Sequence, residues 1–377
     1  MNGPPWATLA EFLGDTVVYR SLDPLDPRLP RYAEMAPRVG LPLDVTPRKG
    51  QPEYARAVAE LLRAAARLRG VEPIERILFV GDTRGNDATA FHRLCLEAGW
   101  PGIGFIGRDE VSVPASWDLR EESDRVLLFA SRWRLLDALD AFCDDHRFPI
   151  DGRMAVIVDI DKTAIGARGR NDGAIDRARI DALRRTLLEL LGDVPPWDAC
   201  RRLYERLNRP SLHRLTADNQ DIIATLCLLI VAGAMSPEIL DEEGGLDRLE
   251  DLSALLTEAC DGRRLPPSAW DVWRRFREGV RRAAPPEFDA FRRNEFAATV
   301  ERMGLLPDGA GREERLAKEI TITAEVRCAA LRWRERGALL LGLSDKPVAA
   351  SLPTKAMAAA GCRPLHRTEG RVVGGLD

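Results

Sequence analysis

Two aspartates stand two residues apart at the end of a short apolar run, "MAVIVDIDKTAIG": Asp159 and Asp161, with Thr163 just beyond. Met154 to Val158 is apolar and rich in β-branched types, which predicts a strand buried in a parallel sheet. Ligands of such sheets bind at the carboxyl ends of strands. The chain therefore delivers two carboxylates to a place where α/β proteins do chemistry. One can serve as nucleophile or metal ligand, the other as acid or base. Strand alternation would point them apart, but Asp161 lies where the strand ends and can turn inward. A strand followed by an acidic loop is the plainer reading of the same residues.

Three further segments carry residues of the same kind. "IERILFVGDTRGNDATAF" is apolar from Ile77 to Val80, then offers Gly81, Asp82, Asn86 and Asp87 before a helical run. Gly81 permits a sharp turn at a strand end, although Asp, Gly and Asn are common in any turn between strand and helix. Upstream, Lys49 precedes a helix with apolar residues at helical spacing: Tyr54, Val58, Leu61, Leu62 and Ala65. Near the C-terminus, "GALLLGLSDKPVAASLP" predicts a strand from Ala338 to Leu343 that ends in Ser344. Only five of the 55 basic residues are lysine: Lys49, Lys162, Lys318, Lys346 and Lys355. Where arginine is the default, a lysine hints at a need for a compact ammonium.

Together these segments resemble the four motifs of the haloacid dehalogenase (HAD) superfamily of aspartyl phosphohydrolases. The Asp-x-Asp-x-Thr strand resembles the first motif, and the strand ending in Ser344 the second. Lys49 resembles the third, and Gly81-Asp82 with Asp87 the fourth. The family's usual order is nucleophile strand, Ser/Thr strand, lysine, Gly-Asp strand. Here the order is Lys49, Asp82/Asp87, Asp159/Asp161, Ser344, a rotation of the same cycle and so a circular permutation. Chain termini at the surface make such rotations tolerable. The arrangement requires the strands ending at Val80, Val158 and Leu343 to be parallel members of one sheet, with the nucleophile strand between the other two.

The resemblance implies a mechanism. Asp159 would attack phosphorus, and Asp161 would protonate the leaving group and then activate water. Mg²⁺ would be held by Asp159, Asp82 and the backbone carbonyl of Asp161, with Asp87 binding it through water or bracing the site. Ser344 and Lys49 would hold phosphoryl oxygens. Relatives that dehalogenate lack the second aspartate, so Asp161 favours phosphate chemistry. Arg168, Arg170, Asp345 and Lys346 follow motif strands and face the cleft, or are exposed turn charges. Lys162, inside the first motif, is a surface residue or shapes substrate access.

The elements that must position these residues fit a chain of 377 residues. The expected fold is α/β: a Rossmann-like parallel sheet, HAD-like and permuted, with a large all-α cap. Residues 1–170 and 336–377 would form the core and 171–335 the cap. "GIGFIG" and "DRVLLFAS" predict further strands, and the tail "PLHRTEGRVVGG" another near the N-terminal segment. Residues 21–50, rich in Pro, Arg and Asp, would wrap the core irregularly. Helical periodicity covers 180–191, 199–207, 218–232, 246–259, 269–280, 288–303 and 313–334, with turn signals between, including Gly244-Gly245.

Composition narrows the class. The apolar run from Ile222 to Ala234 is too short to cross a membrane and reads as a buried helix. Seven scattered cysteines form no CxxC pair, and four separated histidines offer no zinc spacing. No signal peptide is evident, so a cytoplasmic protein is expected. A formal charge of −4 with interleaved signs gives no nucleic-acid groove. The expected function is a Mg²⁺-dependent phosphatase acting on a small phosphorylated metabolite. The alternatives are a phosphotransferase or phosphomutase, and a non-catalytic binding protein on the same scaffold.

Overall fold

Several short apolar runs of the sequence become the middle of one sheet, where both faces are covered and polar side chains are disfavoured. The structure, a computed structural model, describes residues 3–375 apart from 44, 71, 72, 241–250, 259 and 261. Its strands are β1 (Trp6–Ala7), β2 (Val17–Val18), β3 (Arg76–Gly81), β4 (Gly102–Gly107), β5 (Trp117–Glu122), β6 (Arg125–Ala130), β7 (Met154–Asp159), β8 (Ile322–Thr323), β9 (Leu339–Leu343) and β10 (Gly370–Val373). Ile77 to Val80 of β3 and Met154 to Val158 of β7 are fully buried.

The seven-stranded sheet runs β2-β9-β7-β3-β4-β6-β5. Every neighbouring pair is parallel except the β5–β6 hairpin. The fold is thus α/β with a mostly parallel sheet. The strand expected to carry the nucleophile, β7, lies between β9 and β3, as the motif order requires. Val158 pairs with Val80 and with Gly342, so the three strands end nearly level. The helices Pro52–Arg69 and Asn86–Ala98 pack against each other beside the sheet, the first burying Tyr54, Val58, Leu61, Leu62 and Ala65.

The chain divides into two compact units. One comprises Met1–Ile175, Val300–Leu352 and Ala358–Asp377 and holds the sheet. A second, three-stranded sheet in this unit runs β1-β10-β8, so the C-terminal tail does pair with the N-terminal segment. The expected helix over 313–334 is two, Arg312–Lys318 and Ala324–Glu335, with β8 between them. The break is the β-branched run Ile320-Thr321-Ile322-Thr323, which disfavours helix. It bonds to the loop after β7: Gly166 N–H donates to Thr321 O at 2.9 Å and Thr323 N–H to Ala164 O at 2.9 Å. The charged strand β5 carried no strand signal in the sequence. It pairs with β6 through a turn in which Ser123 is left-handed, and its charges suit an exposed sheet edge.

The other unit, Asp176–Thr299 with Pro353–Met357, is helical through its described residues. Its helix Gln220–Val231 is buried almost throughout. The expected helix over 246–259 is present as Leu252–Glu258, while residues 246–250 and 259, like Gly244-Gly245, lie outside the described residues. A charge network sits inside this unit. Arg292 grips Asp221 with two bonds, at 2.7 and 2.9 Å, and reaches Glu295 at 2.6 Å. All three side chains are buried. Removing one member of a buried network leaves the others unpaired, so Arg292→Met should lower stability by ~3–5 kcal/mol. Urea denaturation measures this, and a loss below ~1 kcal/mol would show the network to be dispensable. Among the described residues, no helix of either unit is long and apolar enough to cross a membrane.

Candidate metal and phosphate centre

The site is built at the carboxyl ends of β3 and β7, in the unit that holds the sheet. Asp159 is the last residue of β7, and Asp82 follows the last residue of β3. Asp87 comes from the first turn of the helix Asn86–Ala98. Gly81 is what lets that helix approach: a Cβ there would stand 2.7 Å from Asp87 Cβ and Cγ. The chain can then wrap its own carboxylate. Asp87 Oδ2 accepts the N–H groups of Asp82 and Thr83 at 2.9 and 2.8 Å, and the Thr83 hydroxyl at 2.8 Å.

Lys49 joins the two strand ends. Its Nζ donates to Asp87 Oδ1 at 2.5 Å and to Asp159 Oδ1 at 2.7 Å. These bonds span 38 and 110 residues of chain. A single ammonium serves two carboxylates on different elements, a geometry that suits a point charge better than a planar guanidinium. Ligand oxygens of Asp82, Asp87 and Asp159 all lie within 4.8 Å of one another, and all three residues are buried.

Electrostatics decide what this cluster can hold. Burial pushes Asp82 up to about 7, with the charge of Asp87 adding to it and Arg168 opposing. Burial likewise drives Asp159 well above the carboxylate range, against the pull of Lys49 and with the charges of Asp87 and Asp82 adding to the rise. For Asp87 burial acts upward too, but Lys49 and the hydrogen bonds overcome it and hold it down at about 2. Burial would depress Lys49, yet Asp159 and Asp87 hold it well above the ordinary lysine value. Three carboxylates face one ammonium and one guanidinium, since Arg168 Nε donates to Asp82 Oδ2. With all three ionised, one negative charge is left over, so burial and this excess together make Asp82 and Asp159 hold their protons more tightly than ordinary carboxylates. The ligand set is oxygen only, which suits a hard divalent cation. The Asp82, Asp87 and Asp159 group can therefore bind a metal ion.

The remaining expected residues make contacts of their own. Beyond Asp159 the chain leaves the strand through Lys162, which is left-handed at φ 63°. Ala164 N–H folds back to Asp159 O at 3.2 Å and Ile165 N–H to Ile160 O at 3.0 Å. The Asp161 carboxylate takes Lys346 Nζ at 3.2 and 3.4 Å. Ser344, just after β9, accepts the Lys346 N–H at 3.1 Å through its hydroxyl. Two residues whose placement the sequence left open are thus engaged with site acids: Lys346 with Asp161, and Arg168 with Asp82. Arg170 is elsewhere, buried between Asp109 at 2.7 Å and Glu325 at 2.9 Å. Asp345 pairs with Arg48 at 3.2 Å.

Thr83 bonds the Asp87 carboxylate, and Tyr54 lies beside the site; sequence reading missed both. The hydroxyl directly after Gly-Asp was a usable signal for Thr83. Tyr54 was read only as an apolar helix position. Its buried hydroxyl has no hydrogen-bond partner among the described residues, and the charges of Lys49, Asp345, Asp159 and Asp87 act on it. The Thr163 hydroxyl is also buried, without a partner among the described residues.

The raised Asp82 gives a pH signature in metal-free protein. Between the unfolded value of 3.8 and the folded value of about 7, the folded state holds a proton that the unfolded state has lost. Stability contributed by this group therefore falls as pH rises through that window. Asp87 acts oppositely and lower, its contribution disappearing as pH falls from 3.8 through about 2. With chelator present, the melting temperature of wild type relative to Asp82→Asn should decline from pH 4 to 7. A flat or rising difference would contradict the charge excess.

No protein-family model, curated protein or solved structure matches this chain.

Proposed function

We propose that the protein is a metal-dependent phosphohydrolase of the HAD type, circularly permuted, acting on a small phosphorylated metabolite. One observation carries this reading. β7 stands between β9 and β3, and its terminal Asp159 shares one ammonium with an acid from the β3 end and lies within 4.8 Å of two such acids. This supports the reading that the motifs of the resemblance form one cycle that is rotated along the chain.

In this reading Asp159 Oδ attacks phosphorus and the bond from phosphorus to the leaving oxygen breaks. Asp161 gives its proton to that oxygen. It then takes a proton from water, whose oxygen attacks the aspartyl-phosphate and releases inorganic phosphate. Lys346, bonded to Asp161, holds the carboxyl in place. Lys49 and the Ser344 hydroxyl hold phosphoryl oxygens, and Asp87 fixes Lys49. Asp82, Asp87 and Asp159 would hold Mg²⁺, which when bound supplies the positive charge that the cluster lacks and keeps Asp159 ionised. The helical unit, inserted in sequence between the nucleophile strand and the Ser344 strand, is the cap in this reading.

A panel of small phosphate monoesters assayed with Mg²⁺ tests the proposal. Turnover should appear for some of them, vanish on chelation and return with added Mg²⁺. Turnover that survives chelation, or none across the panel, would count against it.

A further inference from the structure

Beside the carboxylate cluster, the carboxyl ends of β3, β4 and β6 enclose a cavity of about 610 Å³ with the start of β5. Its walls include Asp82, Thr83, Arg84, Arg108, Trp117 and Arg168. This volume suits a small molecule rather than a protein segment. The cavity touches the candidate centre at Asp82, so a ligand with its phosphoryl group at the cluster would extend its organic part here.

The charges of the wall are unequal in their commitments. Arg168 is bonded to Asp82. Arg108 Nε lies 2.8 Å from Glu110 Oε1, and Asp118 is paired with Arg120 at 3.6 Å. Glu110 and Asp118, the other acids of the wall, are thus matched. Arg84 differs. It has no carboxylate partner among the described residues, and its guanidinium carbon sits 4.5 Å from the centroid of the Phe129 ring. The Phe129 ring also takes Arg120, whose guanidinium carbon is 5.2 Å from the centroid, but Arg120 is paired with Asp118. A guanidinium resting on a ring face is biased towards that position and keeps its in-plane N–H donors for an anion. An arginine on a cavity wall with no carboxylate partner among the described residues suits recognition of a carboxylate or phosphate.

We propose that Arg84 binds a second anionic group on the substrate. The substrate class is then a small phosphate monoester whose organic part lies along Trp117 and carries a carboxylate or another anion. This rests on the phosphohydrolase reading only for the phosphoryl end.

Calorimetry on the full chain with Mg²⁺, using benzylphosphonate and 4-carboxybenzylphosphonate, tests it. Neither probe can be hydrolysed, so binding is read apart from turnover. In the wild type the carboxylated probe should bind at least about tenfold tighter, the size of one charge-assisted contact. In Arg84→Gln the ratio of the two affinities should fall to near one, and Arg84→Lys should recover part of it. Arg84 is exposed, so these changes do not threaten the fold. A ratio near one in the wild type, a ratio retained in Arg84→Gln, or binding of neither probe would each overturn the proposal. Hydrolysis of 4-carboxybenzyl phosphate is measured in parallel. If the binding ratios behave as expected and no hydrolysis occurs, the anion subsite stands and the phosphohydrolase reading fails.

Discussion

Asp159→Asn should lower kcat by roughly 10⁴-fold or more, because in the proposed reading it removes the nucleophile and not merely a contact to it. The fold should survive. Asp159 is a buried acid whose burial opposes ionisation, so an amide of the same shape relieves charge crowding. It also weakens one bond to Lys49, at 2.7 Å, while the bond to Asp87 at 2.5 Å remains. The unfolding midpoint should therefore move little. Steady-state turnover with Mg²⁺ and a urea titration check both halves. Turnover within a few-fold of wild type would remove Asp159 from the mechanism. A collapse of the fold would show that the cluster is chiefly structural.

Lys49→Met should act on both stability and activity. The ammonium is buried and is the shared partner of Asp87 and Asp159. Without it, three buried carboxylates face Arg168 alone. Breaking a buried pair by removing one partner costs ~3–5 kcal/mol, mostly as the penalty of the stranded charge. The loss should be smaller with Mg²⁺ present, since a bound cation offsets the same charge excess. Lys49→Arg should restore little, because a planar fork does not fit between two oxygens held by a point charge. Urea titrations with and without Mg²⁺ measure these effects. Equal losses in the two conditions would mean that the cluster does not take the ion.

The parts of this arrangement that were readable in the sequence share one physical property. β3, β7 and β9 are apolar runs with an acid or hydroxyl at one end, and a doubly buried strand cannot hide such a residue anywhere but its end. That places Asp82, Asp159 and Ser344 before any coordinate is known, and the parallel strand order follows from the motif cycle. Lys49 stood out because so few lysines occur. What was not readable depends on backbone turns rather than on period. The pairing of Arg168 with Asp82 follows from the loop through left-handed Lys162 and through Gly169, at φ +80°, where a Cβ would stand 2.2 Å from Asp109 O. Nothing in residue spacing announces that path. β5 is an edge strand whose charges hide its conformation. The helix expected over 313–334 failed because its register ignored four consecutive β-branched residues, which bond to Arg302, to β10 and to the distant loop after β7. The helical unit was visible as periodicity, but its buried Asp221–Arg292–Glu295 network was not, since Asp221 lies 71 residues from Arg292 and on a different helix from Arg292 and Glu295.

The most direct measurement of the central claim is chemical trapping of residue 159. Mg²⁺-loaded protein, turning over the best phosphate ester from the panel, is quenched in acid and reduced with borohydride. An aspartyl-phosphate is thereby converted to homoserine, which peptide mass spectrometry locates. The account expects homoserine at position 159, absent when substrate is omitted. Steady turnover with aspartate intact at 159, or with the modification at another acid, would contradict it.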